Sequence, residues 1–143
     1  MEKGKDFIGV AVVYLCHDGR GRFLMHKRSA NARDEKGMWD IGGGGVEFGA
    51  DILETVRREI REEYGTDALQ TEFLGFRDVH READGRPTHW VALDFKVRVD
   101  PVQAKNNEPH KFDAIEWVNL SSLPAPMHSQ LPVFFERYGE RLR

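Results

Sequence analysis

The chain has 143 residues, of which 40% are hydrophobic and 31% charged, with a net charge of −3. That length supports one domain, residues 1–143, with a core of its own. An acidic balance without a basic stripe argues against a dedicated nucleic-acid binder, but leaves room for a small phosphorylated ligand whose charge a metal can offset.

Met1 to Asp6 is charged and lacks the apolar stretch of a signal peptide, and no apolar run approaches a membrane span. A cytoplasmic protein with no membrane partner is expected. Phe7 to Cys16 is rich in β-branched residues and reads as a strand. Cys16, the only cysteine, has no disulfide partner and sits among Val12, Val13 and Leu15, which marks a buried, inert thiol. A glycine-containing turn at His17 to Gly21 leads to a second strand at Phe23 to Arg28, so the two are expected to form a hairpin. Residues 29–45 are polar and glycine-rich and read as loop; Val46 to Phe48 is too short to assign.

The spacing predicts a helix from about 51 to 64. Asp51 stands as N-cap with Glu54 three residues on, an acidic version of the capping box. Leu53, Val56, Ile60 and Tyr64 form the apolar stripe, and Gly65 stands at the C-terminal cap. Thr71 to Arg81 reads as a strand, Ala83 to Pro87 as a turn, and Thr88 to Val99 as a long strand. A polar loop follows from Asp100 to His110, then a strand from Phe112 to Val118, an irregular proline-containing stretch from Leu120 to Met127, and a helix from Ser129 to Leu142. That last helix turns Leu131, Phe134, Phe135 and Tyr138 inward. Strands on both sides of a central helix, with a second helix at the end, make a mixed α/β layered domain.

The chemistry concentrates on the first helix. Glu59, Glu62 and Glu63 fall within an arc of about 100°. Glu59 and Glu63 are four apart, where like charges repel. Three carboxylates on one patch make sense around a hard cation, because Mg²⁺ and Mn²⁺ take oxygen ligands. No histidine pair shows zinc spacing with cysteine or glutamate partners, so His26, His80 and His89 read as structural or surface residues.

Gly44, followed after the intervening residues by Arg58-Glu59-Ile60-Arg61-Glu62-Glu63-Tyr64-Gly65, resembles the motif of the Nudix hydrolase family. Trp39-Asp40-Ile41 before the glycines and Val46-Glu47-Phe48-Gly49 after them resemble the family's flanking segments. Three positions depart from the pattern. The first motif glutamate falls on Ala50, the proline before the double glycine on Gly42, and the last apolar position on Thr66. As an N-cap, Asp51 is expected to turn its carboxylate to the backbone and to be a poor stand-in for the glutamate at position 50.

The resemblance implies a Nudix fold, a mixed sheet sandwiched between helices. It also implies cleavage of a nucleoside diphosphate linked to another group, dependent on Mg²⁺ or Mn²⁺. It makes Glu59, Glu62 and Glu63 the metal ligands, and Arg58 a bidentate partner for a glutamate. Gly43, Gly44 and Gly45 would allow close approach of the backbone to the substrate. Glu62, Glu63 or Glu108 would assist deprotonation of water. Glu108 is nominated because Asn107-Glu108-Pro109-His110-Lys111 resembles a segment of a triphosphate-cleaving branch; Glu116 is its rival. Arg28 and Arg77 are candidates for phosphate contact. Trp39, Trp90 and Trp117 are either core or stacking platforms, with Trp90 the candidate for a nucleobase. A nucleoside triphosphate, giving monophosphate and pyrophosphate, is the favoured substrate. ADP-ribose or a nucleotide sugar is the alternative, and Ala50 keeps open a nucleotide-binding module of weak activity. A homodimer is expected on general frequency alone.

Overall fold

Side-chain alternation along the first strand sets two layers. In β1 (Gly9–His17), Val12, Tyr14 and Cys16 enter one apolar cluster while Val13 and Leu15 enter or pack on the other. The remaining elements are β2 (Phe23–Arg28), β3 (Trp39–Asp40), β4 (Gly42–Gly45), α1 (Ile52–Tyr64), β5 (Gln70–Ala83), β6 (Arg86–Arg98), β7 (Phe112–Val118) and α2 (Leu131–Leu142). The computed structural model describes residues 1–143 throughout. α1 covers one face through Val56, Ile60 and Tyr64, and α2 the other through Leu131, Phe134, Tyr138 and Leu142. A mixed sheet between two helices is therefore the architecture, as expected. Neither helix is long and apolar enough to cross a membrane.

The seven-stranded sheet runs β3-β2-β1-β6-β5, with β4 also on β1 and β7 also on β2. β1 and β6 are parallel over nine residue pairs, from Gly9↔Trp90 to His17↔Arg98. The hairpin expected between β1 and β2 exists but holds at only two pairs, Cys16↔Leu24 and His17↔Phe23. Upstream of them, β1 takes β4 as its neighbour instead and β2 takes β3, while β7 pairs with β2 along its whole length. The sheet thus forks at the end of β1.

Residues 29–45 are not loop throughout. Gly42 to Gly45 form a strand antiparallel to β1, from Tyr14↔Gly42 to Ala11↔Gly45, despite the low strand propensity of glycine. The ladder supplies what the side chains cannot. Pro87, assigned to a turn, lies inside β6. It sits beyond the point where β1 begins, so its missing N–H interrupts no bond to β1. In α1, Leu53 leaves the apolar stripe and is 44% exposed. Asp51 is the N-cap but makes no side-chain cap bond, and Glu54 pairs with Arg57 rather than completing a capping box. Gly65 closes the helix in the left-handed region, φ 63°, and its N–H returns to the Arg61 carbonyl. In α2, Phe135 is half-buried, and Leu142 joins the core in addition to the residues expected.

Candidate active site

α1 lays its glutamates against β4, and the absence of side chains on β4 makes the approach possible. A Cβ on Gly44 would fall 2.5 Å from Glu59 Cδ. A Cβ on Gly42 would fall 2.0 Å from a Tyr14 ring carbon and 2.8 Å from Glu63 Oε1. No larger residue fits at either position without displacing a carboxylate or the core tyrosine.

The three glutamates occupy graded environments. Glu63 is almost fully buried; the Tyr14 hydroxyl donates to its Oε1, and the Gly43 backbone N–H also reaches it. Burial raises its carboxyl to about 8, the nearby Glu59 adds to the rise, and the Tyr14 and Gly43 bonds oppose it. Glu59 is also raised, first by burial and then by the charge of Glu62. Glu62 is the exposed member, with half its side chain in solvent. Arg58 does not grip one carboxylate with two bonds as expected. It bridges two, with Nη2 3.4 Å from Glu59 and Nε 3.8 Å from Glu62. Buried, mutually repelling carboxylates with oxygen-only donors fit a hard divalent cation, which would relieve both penalties.

The segment around Glu108 packs on the end of α1. Lys105 N–H donates to the Tyr64 carbonyl, Asn107 N–H to that of Glu63, and the Asn107 amide to those of Arg61 and Glu62. Glu108 is largely buried and lies 3.7 Å from Lys111 Nζ and 3.5 Å from His110 Nε2. The Lys111 charge acts on Glu59 and Glu63 as well. Glu116, the rival, is exposed on β7. Glu47 is exposed and paired with Lys3 at 2.8 Å.

A cavity of about 650 Å³ includes Glu63, Gly42 and Gly43 in its wall. Its wall includes Ala11 and Val13 of β1, Ala92 of β6, and Leu131 and Phe134 of α2. Trp90 lines it, whereas Trp39 and Trp117 pack against the two core clusters. Gly4 and Gly9 both press on the Trp90 indole, where a Cβ would lie 2.1 Å and 2.5 Å away. Arg28 also lines the cavity but is committed to Asp34 at 2.8 Å and Asp40 at 3.2 Å. Gly44, Gly45, Arg58, Glu59, Glu62 and Glu108 lie outside the cavity wall.

Asp94 and Glu35 carried no sequence signal that was read, whereas Arg77, a candidate for phosphate contact, lines the cavity but is held by an ion pair the sequence did not announce. Arg77 forms a buried two-bond pair with Asp94, at 2.7 Å and 2.9 Å, and Tyr138 donates to the same carboxylate. Its Nη1 has no partner. A lone aspartate inside the apolar run His89 to Phe95 is the clue that a buried counter-ion was needed. Glu35, at a positive φ of 46°, accepts from the backbone N–H and hydroxyl of Ser129 and pairs with Arg81 at 2.6 Å and His128 at 2.8 Å. These bonds tie the segment before β3 to β5 and to the start of α2. His26 is a core residue: it shares a 2.7 Å bond with the Tyr64 hydroxyl, stacks on Phe112, and is pushed down to about 3, chiefly by burial. Burial likewise pushes the Cys16 thiol up, consistent with an inert group.

The NUDIX domain pattern matches residues 7–138. An RNA pyrophosphohydrolase of Gluconacetobacter diazotrophicus is 30% identical over 128 residues, 77% of this chain and 76% of that protein. A nucleoside triphosphatase NudI of Escherichia coli is 36% identical over 110 residues, 72% of this chain and 77% of that protein. Among solved structures, a MutT NUDIX hydrolase of Burkholderia pseudomallei superposes with a TM-score of 0.81 at 27% identity, covering 92% of this chain and 98% of that one. With the glutamate-bearing helix, the glycine strand and this match over most of its length, the chain belongs to the Nudix family and is a hydrolase acting on acid anhydrides.

Proposed function

We propose that the chain hydrolyses a nucleoside triphosphate to the monophosphate and pyrophosphate, with Mg²⁺ or Mn²⁺ held by Glu59, Glu62 and Glu63. The observation that carries this reading is that the carboxylate cluster reaches, through Glu63, the wall of a cavity of about 650 Å³, a volume suited to a nucleotide. When bound, the divalent ion neutralises the diphosphate and makes water easier to deprotonate. The chain's own residues supply position. Tyr14 and Gly43 hold Glu63, and Arg58 sits between Glu59 and Glu62 so that the three carboxylates keep their spacing. The β4 backbone at Gly43 and Gly44 meets the diphosphate without side-chain hindrance. Arg28 faces phosphate at the cavity wall and Trp90 stacks on the base. One proton of the attacking water passes to Glu62, Glu63 or Glu108, while the P–O bond to the pyrophosphate leaving group breaks. Residues 1–143 act as one Nudix domain in the cytoplasm, alone or as a homodimer, with no nucleic-acid or membrane partner required.

The test is product formation from canonical and oxidised triphosphates, ADP-ribose, nucleotide sugars and dinucleoside polyphosphates, with Mg²⁺ or Mn²⁺, beside Glu62→Gln. Metal-dependent pyrophosphate release that Glu62→Gln abolishes supports the reading. A better rate with ADP-ribose or a nucleotide sugar reassigns the substrate. Metal-dependent binding without turnover of any substrate replaces the enzyme with a binding module, and Ala50 becomes the residue to restore.

A further inference from the structure

The hairpin of β5 and β6 holds a cluster that the hydrolytic site does not use. Its turn is Asp84-Gly85, both with positive φ (54° and 76°), between the paired residues Ala83 and Arg86. Such a two-residue turn fixes the register of the ladder. It sets His80 directly opposite His89, and alternation puts Asp78 on the same face as His80. The opposite face carries Arg77, Val79 and Arg81, which line the nucleotide cavity. The cluster therefore lies on the reverse side of the cavity wall.

The side chains already converge. The His80 and His89 ring centroids are 4.2 Å apart, and His89 Nε2 lies 2.9 Å from Asp78 Oδ1. One ligand atom from each of the three residues can be chosen so that all lie within 4.8 Å of one another. Tetrahedral ligands around Zn²⁺ are separated by about 3.4 Å, so closure needs side-chain movement of only about 1 Å on a paired backbone. Asp78 and His80 are exposed and His89 is partly so, which leaves room for a water as a further ligand.

We infer that Asp78, His80 and His89 form a second divalent-metal site, for a borderline-soft ion of the Zn²⁺ type. Two imidazoles and one carboxylate suit Zn²⁺, Ni²⁺ or Cu²⁺ over Mg²⁺, whereas the glutamates of α1 offer oxygen alone. The chain thus separates two kinds of divalent ion by donor chemistry. An ion at the hairpin crosslinks the edge strand β5 to β6 behind the residues that wall the cavity. This site does not depend on the proposed hydrolysis.

The experiment is a Zn²⁺ titration of the full chain in excess Mg²⁺, added to compete for the oxygen donors of α1. It is read by calorimetry, by histidine ring resonances and by Tm. The expected result is one saturable equivalent, with the His80 and His89 rings shifting together while His26 does not, and a rise in Tm. His80→Ala and His89→Ala should each weaken this binding at least about 10-fold, since even outer-shell changes reach that range, and should remove the Tm rise. Unchanged Zn²⁺ affinity in both variants, or no saturable equivalent, overturns the site. Should His89→Ala not fold, the ring resonances of the unsubstituted chain decide: shifts confined to one of the two rings, or to neither, also overturn it.

Discussion

Gly42 and Gly44 sit two residues apart on one strand face, and the same substitution should have opposite consequences at the two. In Gly44→Ala the new methyl falls 2.5 Å from Glu59 Cδ and 2.8 Å from both its carboxylate oxygens. Those atoms end a flexible side chain that can swing away, and Gly44 is not among the residues with positive φ. Stability should therefore change by less than about 1 kcal/mol, because alanine loses less backbone entropy than glycine. The displaced carboxylate, however, moves by an ångström or more, which is enough to cost about 100-fold in turnover. In Gly42→Ala the methyl falls 2.0 Å from the ring of Tyr14, which is fully buried in the core cluster that α1 covers. Overpacking there should cost at least about 1–3 kcal/mol. For a chain of this size that lowers Tm by roughly 3–12 °C. Urea unfolding and pyrophosphate release, measured on both variants, separate the two effects. If Gly44→Ala keeps its rate within a few-fold while its fold is intact, contact between β4 and Glu59 does not set the active geometry. Equal destabilisation of the two variants would refute the distinction between a yielding and an unyielding neighbour.

Tyr14→Phe leaves the buried Glu63 carboxylate without its side-chain donor, and should weaken Mn²⁺ binding about 10- to 100-fold by calorimetry while the ring still fills the core. Asp94→Asn strands the Arg77 charge beside Phe134 and should cost about 3–5 kcal/mol in urea unfolding. The double variant Arg77→Met/Asp94→Leu should recover much of that, and no recovery would mean that the pair does more than neutralise itself. The depressed His26, at about 3 in the folded chain, stays neutral there but takes up a proton on unfolding below about pH 6.5. Its contribution is complete above that pH and is lost as pH falls from 6.5 towards 3, amounting to about 2 kcal/mol by pH 5. His26→Gln should flatten that part of the pH–stability curve, and an unchanged slope would assign the acid sensitivity to other groups.

The parts of the fold that could be read from the sequence are those where local pattern and tertiary demand agree. The α1 periodicity, the Gly65 cap, and the β2 and β7 boundaries all follow from residues within one element. β4 could not be read, because four glycines carry no propensity for a strand and owe theirs to β1. Leu53 left the stripe because helical spacing gives a face but not how far the covering sheet extends. Within the candidate site, the glutamates and glycines follow one another at fixed spacing and were legible. Tyr14, Asp94 and the Glu35 hub were not, and Arg77 was read for phosphate but not for its ion pair, since each takes its meaning from a partner at least 17 positions away. Arg58 shows the limit within a motif: spacing names the carboxylates near it, but the number it serves depends on side-chain rotamers.

The bonds from residues 105–107 to the end of α1 involve main-chain atoms at one end or at both, and only the Asn107 amide brings in a side chain. Main-chain bonding survives sequence divergence, so relatives can vary this segment freely and still deliver the residue at position 108 to the same place. It follows that chimeras exchanging residues 105–111 between relatives should keep the helix and its carboxylates in register. They offer a route to transplanting reactivity at that corner without redesigning the scaffold.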